Sequence, residues 1–416
     1  MNKWREMALG DLAEITSAKR IFYSEYVTNG VPFYRSKEVI DRHNNREIQT
    51  ELFISNDKYE SIKSNFGVPE EDDILLTSVG TLGIPYRVTK QDKFYFKDGN
   101  LTWFQKIDKK IIDIHFLYTW LGSKAGRQRL DEITIGSTQP ALTIGGLKTI
   151  NILLPPLPEQ RAIASVLSSL DDKIDLLNRQ NKTLEAMAET LFRQCFVEEA
   201  EEGWEEVDLE YVSEKITDGA HQSPPTTETG MPMASVKDMH QWGIDYSTCR
   251  KISQEDYRKL VRDDCRPLKN DILIAKDGSY LKHIFVTSED MHLVVLSSIA
   301  IIRPNGKYHP ILLSIFLKMD STKELLKNIV TGAVIPRIVL KDFRKFPIVL
   351  PPIQKQIDAL EIVEPIITKC YGNIKQIHVL EKLRDMLLPK LMSGEVRVKH
   401  ECIDKDQSET RTKCLL

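Results

Sequence analysis

The chain has 416 residues, 41% of them hydrophobic and 8% aromatic, enough to bury more than one core, so two domains are the ordinary expectation. Its formal charge is −3, divided as +1 over residues 1–154, −5 over 155–202, 0 over 203–350 and +1 over 351–416, which excludes a broadly basic molecule and confines any phosphate-binding surface to a local patch. The opening Met1-Asn2-Lys3-Trp4-Arg5-Glu6 has no apolar core for a signal peptide, no run reaches membrane-span length, and Cys195, Cys249, Cys265, Cys370, Cys402 and Cys414 show no metal-ligand spacing, so a cytoplasmic protein with reduced thiols and no membrane partner is expected.

In chain order, Trp4 to Ile15 reads as an amphipathic stretch at a domain edge. Lys19-Arg20-Ile21-Phe22-Tyr23 and Val31-Pro32-Phe33-Tyr34-Arg35-Ser36-Lys37 follow, with basic and aromatic residues interleaved around the Asn29-Gly30 turn signal. Basic side chains neutralise phosphates, and Arg or Ser reaches base edges. A nucleic-acid surface is one reading of these stretches; a solvated strand-loop-strand is the other. Asp73-Ile74-Leu75-Leu76-Thr77-Ser78-Val79-Gly80 predicts a buried strand ending in a polar turn. Ile111 to Leu121 predicts a helix, with His115 packed or at the surface rather than a ligand. The loop Ile135-Gly136-Ser137-Thr138-Gln139-Pro140-Ala141-Leu142 carries good base-edge readers, although a loop rich in Gly, Ser and Pro needs no function.

The organising element begins at Leu154-Pro155-Pro156-Leu157-Pro158-Glu159-Gln160-Arg161 and then runs to Glu202 without Gly or another Pro. Steps of four and three residues from Ile163 meet Leu167, Leu170, Ile174, Leu177, Asn181, Leu184, Ala188, Leu191 and Cys195, a heptad seam broken only at Asn181. A helix of roughly 38 residues would be about 57 Å long. Such a seam needs a partner helix.

That partner lies 196 residues further on, where Val349-Leu350-Pro351-Pro352-Ile353-Gln354-Lys355-Gln356 restates the opening signal. The same offset gives Ala359, Val363, Ile366, Cys370, Asn373, Ile377, Leu380, Arg384, Leu387 and Leu391. Pro365 and Gly372 interrupt this second helix pattern and predict a kink or a late start. Antiparallel helices with coincident midpoints would pair positions summing to 554, setting Asn181 opposite Asn373, and a buried Asn pair fixes register at some cost in stability.

The repeat reaches into the globular regions. Trp4 corresponds to Trp204, Gly30-Val31-Pro32 to Gly230-Met231-Pro232, Lys37 to Lys237, Asp73-Ile74-Leu75 to Asp271-Ile272-Leu273, and Gly80 to Gly278. Gly136 and Pro140 correspond to Gly332 and Pro336. The chain is two copies of one plan, a globular region followed by a long helix, that differ in what fills the frame. In the second copy, Ser223-Pro224-Pro225-Thr226 superficially resembles the catalytic motif of amino-methyltransferases, but Thr226 stands where that motif needs a stacking aromatic. Asp271, Lys276 and Asp277 raise the question of a nuclease centre; a repeated scaffold turn is the better explanation, because the first copy has Asp73, Thr77 and Ser78 there and no lysine. No ATP loop, dinucleotide fingerprint or zinc spacing is present, so the chain does not read as an enzyme by itself.

The doubled frame, the two proline-led heptad helices, Leu383-Arg384-Asp385-Met386-Leu387-Leu388-Pro389-Lys390-Leu391-Met392-Ser393-Gly394-Glu395 near the end, and Thr217-Asp218-Gly219-Ala220-His221 together resemble the specificity subunit of type I restriction-modification systems. The resemblance spans the chain to about residue 399. It implies an α+β fold in which two target recognition domains of mixed α/β structure, residues 1–154 and 203–350, are separated by two long conserved helices, residues 155–202 and 351–399, forming an antiparallel coiled coil. Residues 400–416 are polar and predict a disordered tail.

The implied partners are double-stranded DNA, two modification (methyltransferase) subunits and restriction (translocase/nuclease) subunits. S-adenosylmethionine, ATP and Mg would be bound by those subunits and no cofactor by this chain. Each domain would read one half of a bipartite target. By motif position and chemistry the DNA-contact candidates are Lys19, Arg20, Arg35, Lys37, Ser137, Thr138 and Gln139 in the first copy. In the second they are His221, Gln222, Lys237, Lys276, Ser279 and Arg337, with Asn181 and Asn373 as register residues. Two alternatives remain open: a restriction or methyltransferase enzyme with its own catalytic site, and a coiled-coil scaffold protein that shows no salt-dependent DNA binding.

Overall fold

The structure, a computed structural model, describes residues 4–44, 46, 48, 50–136, 138–201, 203–278, 280–331 and 336–398. It divides into two compact units, Met1–Ile174 with Val379–Leu416, and Asp175–His378.

In the first unit, β1 (Arg5–Ala8) and β2 (Glu14–Thr16) are followed by β3 (Val31–Tyr34), α1 (Ser36–His43), α2 (Asn56–Phe66), β4 (Ile74–Thr77), β5 (Pro85–Arg87), β6 (Leu101–Gln105), α3 (Ile114–Gly122) and β7 (Asn151–Leu154). A four-stranded antiparallel sheet runs β2-β6-β4-β5, with Ile15 and Ile74 both opposite Phe104. β4 is apolar at nearly every position because it is buried on both faces: Ile74 and Leu76 enter one core, and Leu75 enters another with Tyr34, Phe94 and Trp103. The stretch Trp4 to Ile15 is not one amphipathic element. Met7 pairs with Ile152 in a β1-β7 ribbon, a single helical turn buries Leu9 and Leu12, and Ile15 already belongs to the sheet. Its polar–apolar spacing serves three short elements in succession.

The helix α4 (Leu157–Arg193) follows, 37 residues long, and ends in one wider turn, Gln194–Glu198. The second unit repeats the first: β8 (Glu205–Asp208), β9 (Ser213–Asp218), β10 (Met231–Ala234), α5 (Gln254–Arg262), β11 (Ile272–Ala275), β12 (Ile284–Val286), β13 (Ile299–Pro304), α6 (Pro310–Lys318) and β14 (Pro347–Leu350). Its sheet runs β9-β13-β11-β12, and β8 pairs with β14 as β1 does with β7. The repeated glycines before β3 and β10 have one cause. A Cβ on Gly30 would lie 2.2 Å from the Ile54 carbonyl oxygen, and one on Gly230 would lie 2.1 Å from that of Ile252.

The last helix, α7 (Ile353–Ser393), has 41 residues and no late start. It continues through Pro365 and Gly372, both on its exposed side. Val363, Ile367 and Cys370 on the buried side supply the packing that offsets the missing backbone bond. The two long helices are antiparallel. In the first unit Ile163, Ala164 and Leu167 share a core with Leu391 and Met392, and Arg384 pairs with Asp171 at 3.0 Å. In the second, Ala188 and Phe192 share a core with Ala359, Val363 and Ile367. Asn373 donates from Nδ2 to Asn181 Oδ1 at 2.8 Å, with both residues buried.

Candidate nucleic-acid interface

Strand direction decides which loops meet. In the first unit β6 is antiparallel to both β2 and β4, so the C-terminal ends of β2 and β4 and the start of β6 lie at one end of the sheet. Ser78, just beyond β4, accepts from Leu142 N at 2.9 Å, and Val79 bridges Ala141, which brings the loop 135–141 to that end. The carbonyl of Asn100 accepts from Ser78 N at 2.8 Å and from Ser36 Oγ at 3.5 Å, which adds the Arg35-Ser36-Lys37 turn.

The second unit uses the same knot. Ser298 accepts at its carbonyl from Lys276 N at 2.9 Å and at Oγ from Val236 N at 3.1 Å. Asp277 bridges Arg337, and Gly278 N donates to Pro336 O at 2.9 Å. Segments up to about 120 residues apart in sequence thus converge on one end of each sheet, and most of the candidate residues come with them.

Their side chains differ in freedom. Lys19, Arg20, Lys37, Thr138, Gln139, His221, Gln222, Lys237 and Arg337 are exposed, while Ser137 and Ser279 lie outside the described residues. Arg20 reaches Asp98 at 2.8 Å. Arg35 is committed elsewhere: its guanidinium pairs with the buried Glu38 at 2.7 Å, and Glu38 also accepts from Arg35 N at the start of α1. That arrangement raises the Arg35 pKa further above its ordinary value, the Glu38 hydrogen bond being the main cause. Lys276 is only 6% exposed and spends its ammonium on Asp218 at 2.6 Å. The other Asp218 oxygen holds His221 Nε2 at 3.1 Å.

Sequence reasoning assigned no role to Asp218, Glu38, Asn100 or Ser298, which hold the basic and loop residues in place. Asp218 alone left a trace, standing in Ile216-Thr217-Asp218 where the first copy has Ile15-Thr16-Ser17. A nuclease centre around Asp271 does not form. That carboxylate sits at the far end of β11 from Lys276 and takes two bonds from Arg303, both 2.9 Å. Burial pushes Asp271 up against the pull of Arg303. Its counterpart Asp73 accepts from the Trp103 indole at 2.8 Å and is pushed up to about 6 by burial. Among the described residues, no group of three or more His, Cys, Asp or Glu is placed to hold a metal ion, and no helix is long and apolar enough to cross a membrane.

Residues 1–186 and 201–381 each match the family model described as type I restriction modification DNA specificity domain. The type I restriction enzyme MjaIX specificity subunit of Methanocaldococcus jannaschii is 29% identical over 316 residues, covering 70% of this chain and 71% of that protein. The HindI specificity subunit of Haemophilus influenzae is 21% identical over 473 residues, covering 95% and 100%. Among solved structures, the type I restriction-modification system S subunit from M. genitalium has a similar fold, with a TM-score of 0.55 at 18% identity over 93% of this chain and 96% of that one.

Proposed function

The chain belongs to the type I restriction-modification DNA specificity family, with the domain present twice, and we propose that each copy reads one half of a bipartite DNA site through the loops gathered at the end of its sheet. It is the non-catalytic, sequence-reading subunit of such a system. The observation that carries the proposal is the twin knot: Asn100 and Ser298 gather equivalent loops at equivalent sheet ends, and the side chains offered there differ between the copies. A shared scaffold with unlike readers is what two unlike half-sites require. Exposed Lys19, Lys37, Lys237 and Arg337 meet phosphates, whereas Thr138, Gln139, His221 and Gln222 have the donors and acceptors that distinguish base edges. In this reading residues 1–154 and 203–350 are the two recognition domains, and the long helices dock modification subunits. Those subunits bring S-adenosylmethionine for adenine methylation, and restriction subunits bring ATP and Mg.

The test is genome-wide adenine methylation in a host carrying this chain with its modification subunit, against the same host without the chain. A new methylated motif of two short halves around an unspecified gap is the expected result. No new motif from an assembled complex overturns the proposal in favour of a scaffold that binds only protein.

A further inference from the structure

Large aromatic rings left in water need a reason, and the first unit leaves two adjacent ones at the end of its sheet. The loop that leaves β2 carries Lys19 and Arg20 and then Phe22, 62% exposed, and Tyr23, 90% exposed. The turn beneath these rings is braced from inside. Glu25 accepts from Phe22 N at 2.8 Å, its own N–H returns to Phe22 O at 2.9 Å, and Lys58 pairs with its carboxylate at 2.6 Å. Ile21 is buried, and Tyr26 packs tilted against Phe33 with ring centroids 5.1 Å apart. The rings are therefore presented by a stiff support rather than left on a loose loop.

Two cationic residues stand on the same loop. Lys19 holds its ammonium 5.0 Å from the ring centre of Phe66, itself 56% exposed, and Arg20 is exposed on the same loop. The equivalent loop of the second unit, Gly219 to Gly230, contains His221 but no Phe, Tyr, Trp, Lys or Arg. Exposed aromatics beside cations suit a partner with anionic edges and flat apolar faces, as stacked bases between phosphates are. We propose that Phe22 and Tyr23 form an aromatic wedge that packs against a base step in the half-site read by the first domain, while the half read by the second domain is recognised without one. This rests on the DNA-reading function proposed above and adds residues and a mode of contact to it.

The test uses the full chain assembled with its modification subunit and duplex DNA carrying the methylated motif, with 2-aminopurine placed in turn at positions of each half. Apart from the adenine positions that the modification subunits flip out for methylation in either half, the wild-type complex is expected to brighten the probe at one further step, in the half read by the first domain only. The Phe22→Ala/Tyr23→Ala variant is expected to lose that signal and about tenfold in affinity. It should relax discrimination at base pairs of that half alone, with the salt dependence of binding unchanged because no charge is removed. Lys19→Gln should lower the salt slope instead, and Tyr23→Phe, which keeps the ring, should behave as wild type. A double variant that keeps both signal and discrimination overturns the wedge. So does one that folds but no longer assembles with the modification subunit, since the rings would then be a protein contact. A wild-type complex that prefers no bipartite site defeats the DNA-reading function itself, and it does so before any variant is made.

Discussion

Just beyond the central strand of its sheet, the first unit places Ser78 and the second places Lys276, and the two side chains are held in different ways. Ser78 is buried in a neutral network, with Oγ 2.7 Å from Thr102 Oγ1 and donating to Leu76 O at 3.1 Å. Lys276 is buried as an ion against Asp218. One backbone frame thus supports a neutral anchor in one copy and a charged anchor in the other. The frame depends largely on backbone hydrogen bonds, whereas the anchors depend on local desolvation. At this position the two copies hold an equivalent loop by different chemistry.

The sharpest way to break this comparison is to remove each anchor. Lys276→Met leaves the Asp218 carboxylate buried without its ammonium and is expected to cost about 3–5 kcal/mol. Ser78→Ala is expected to cost about 1 kcal/mol. Denaturant unfolding of the two variants checks both values, and equal losses would show that the ion pair is no stronger an anchor than the hydroxyl network.

The next pair of effects differs in sign. Asp271→Asn relieves a burial penalty like that of Asp73 but leaves the Arg303 guanidinium only Asp264, at 3.2 Å, as an ion-pair partner; the half-buried cation's loss is the larger effect, and the change should destabilise by about 2–4 kcal/mol. Asp73→Asn keeps an oxygen for the Trp103 indole and removes a carboxyl whose folded pKa stands near 6, above its ordinary value of 3.8. Below about pH 4 that carboxyl is protonated folded and unfolded alike and carries no penalty. The penalty grows as pH rises from 4 to 6 and persists above, so the substitution should stabilise by about 2 kcal/mol at pH 7 and flatten the pH dependence of stability across that window. Unfolding curves at pH 4 and pH 7 decide it.

A third pair should show no difference. Gln160 accepts from Asp113 N at 2.8 Å and donates to Ile111 O and Pro155 O. Gln356 accepts from His309 N at 2.9 Å and donates to Lys307 O and Pro351 O. Replacing either by Ala orphans a backbone N–H and two carbonyls and should cost about 2 kcal/mol in both copies. Unequal losses would mean that the repeat is looser than its hydrogen bonds indicate. Smallest is the effect at the helix pair. Asn181→Leu removes the bonds to Asn373 and to the Cys370 carbonyl, leaves Asn373 Nδ2 only Gln180 Oε1 at 2.9 Å, and should cost about 1 kcal/mol, whereas Asn181→Leu/Asn373→Leu should recover that stability while loosening helix register, read by cross-linking of introduced cysteines.

Much of the frame was legible because it is written in periodicity and repetition. The two proline-led helices, the apolar runs Ile74-Leu75-Leu76 and Ile272-Leu273-Ile274, and the paired Gly30 and Gly230 each follow from local rules of burial, helix initiation and close approach. Less of the site was legible. Lys276 reads as a phosphate contact until Asp218, 58 residues earlier, is found beside it, and Arg35 reads as free until Glu38 folds back on it. Trp4 to Ile15 is amphipathic as read, but how it divides into a strand, a helical turn and a second strand is set by its pairing partners.

By itself, the sequence determined the doubling, the two long helices and the family, since periodic burial and repeated motifs are properties of the chain that need no third dimension; the antiparallel pairing of those helices was only implied by the resemblance. Only the tertiary structure decided which basic residues are free and which are spent, because that depends on carboxylates brought in from distant strands. It also decided that Phe22 and Tyr23 face water, since exposure is settled by what packs around a braced turn and not by the hydrophobicity of the residues on it.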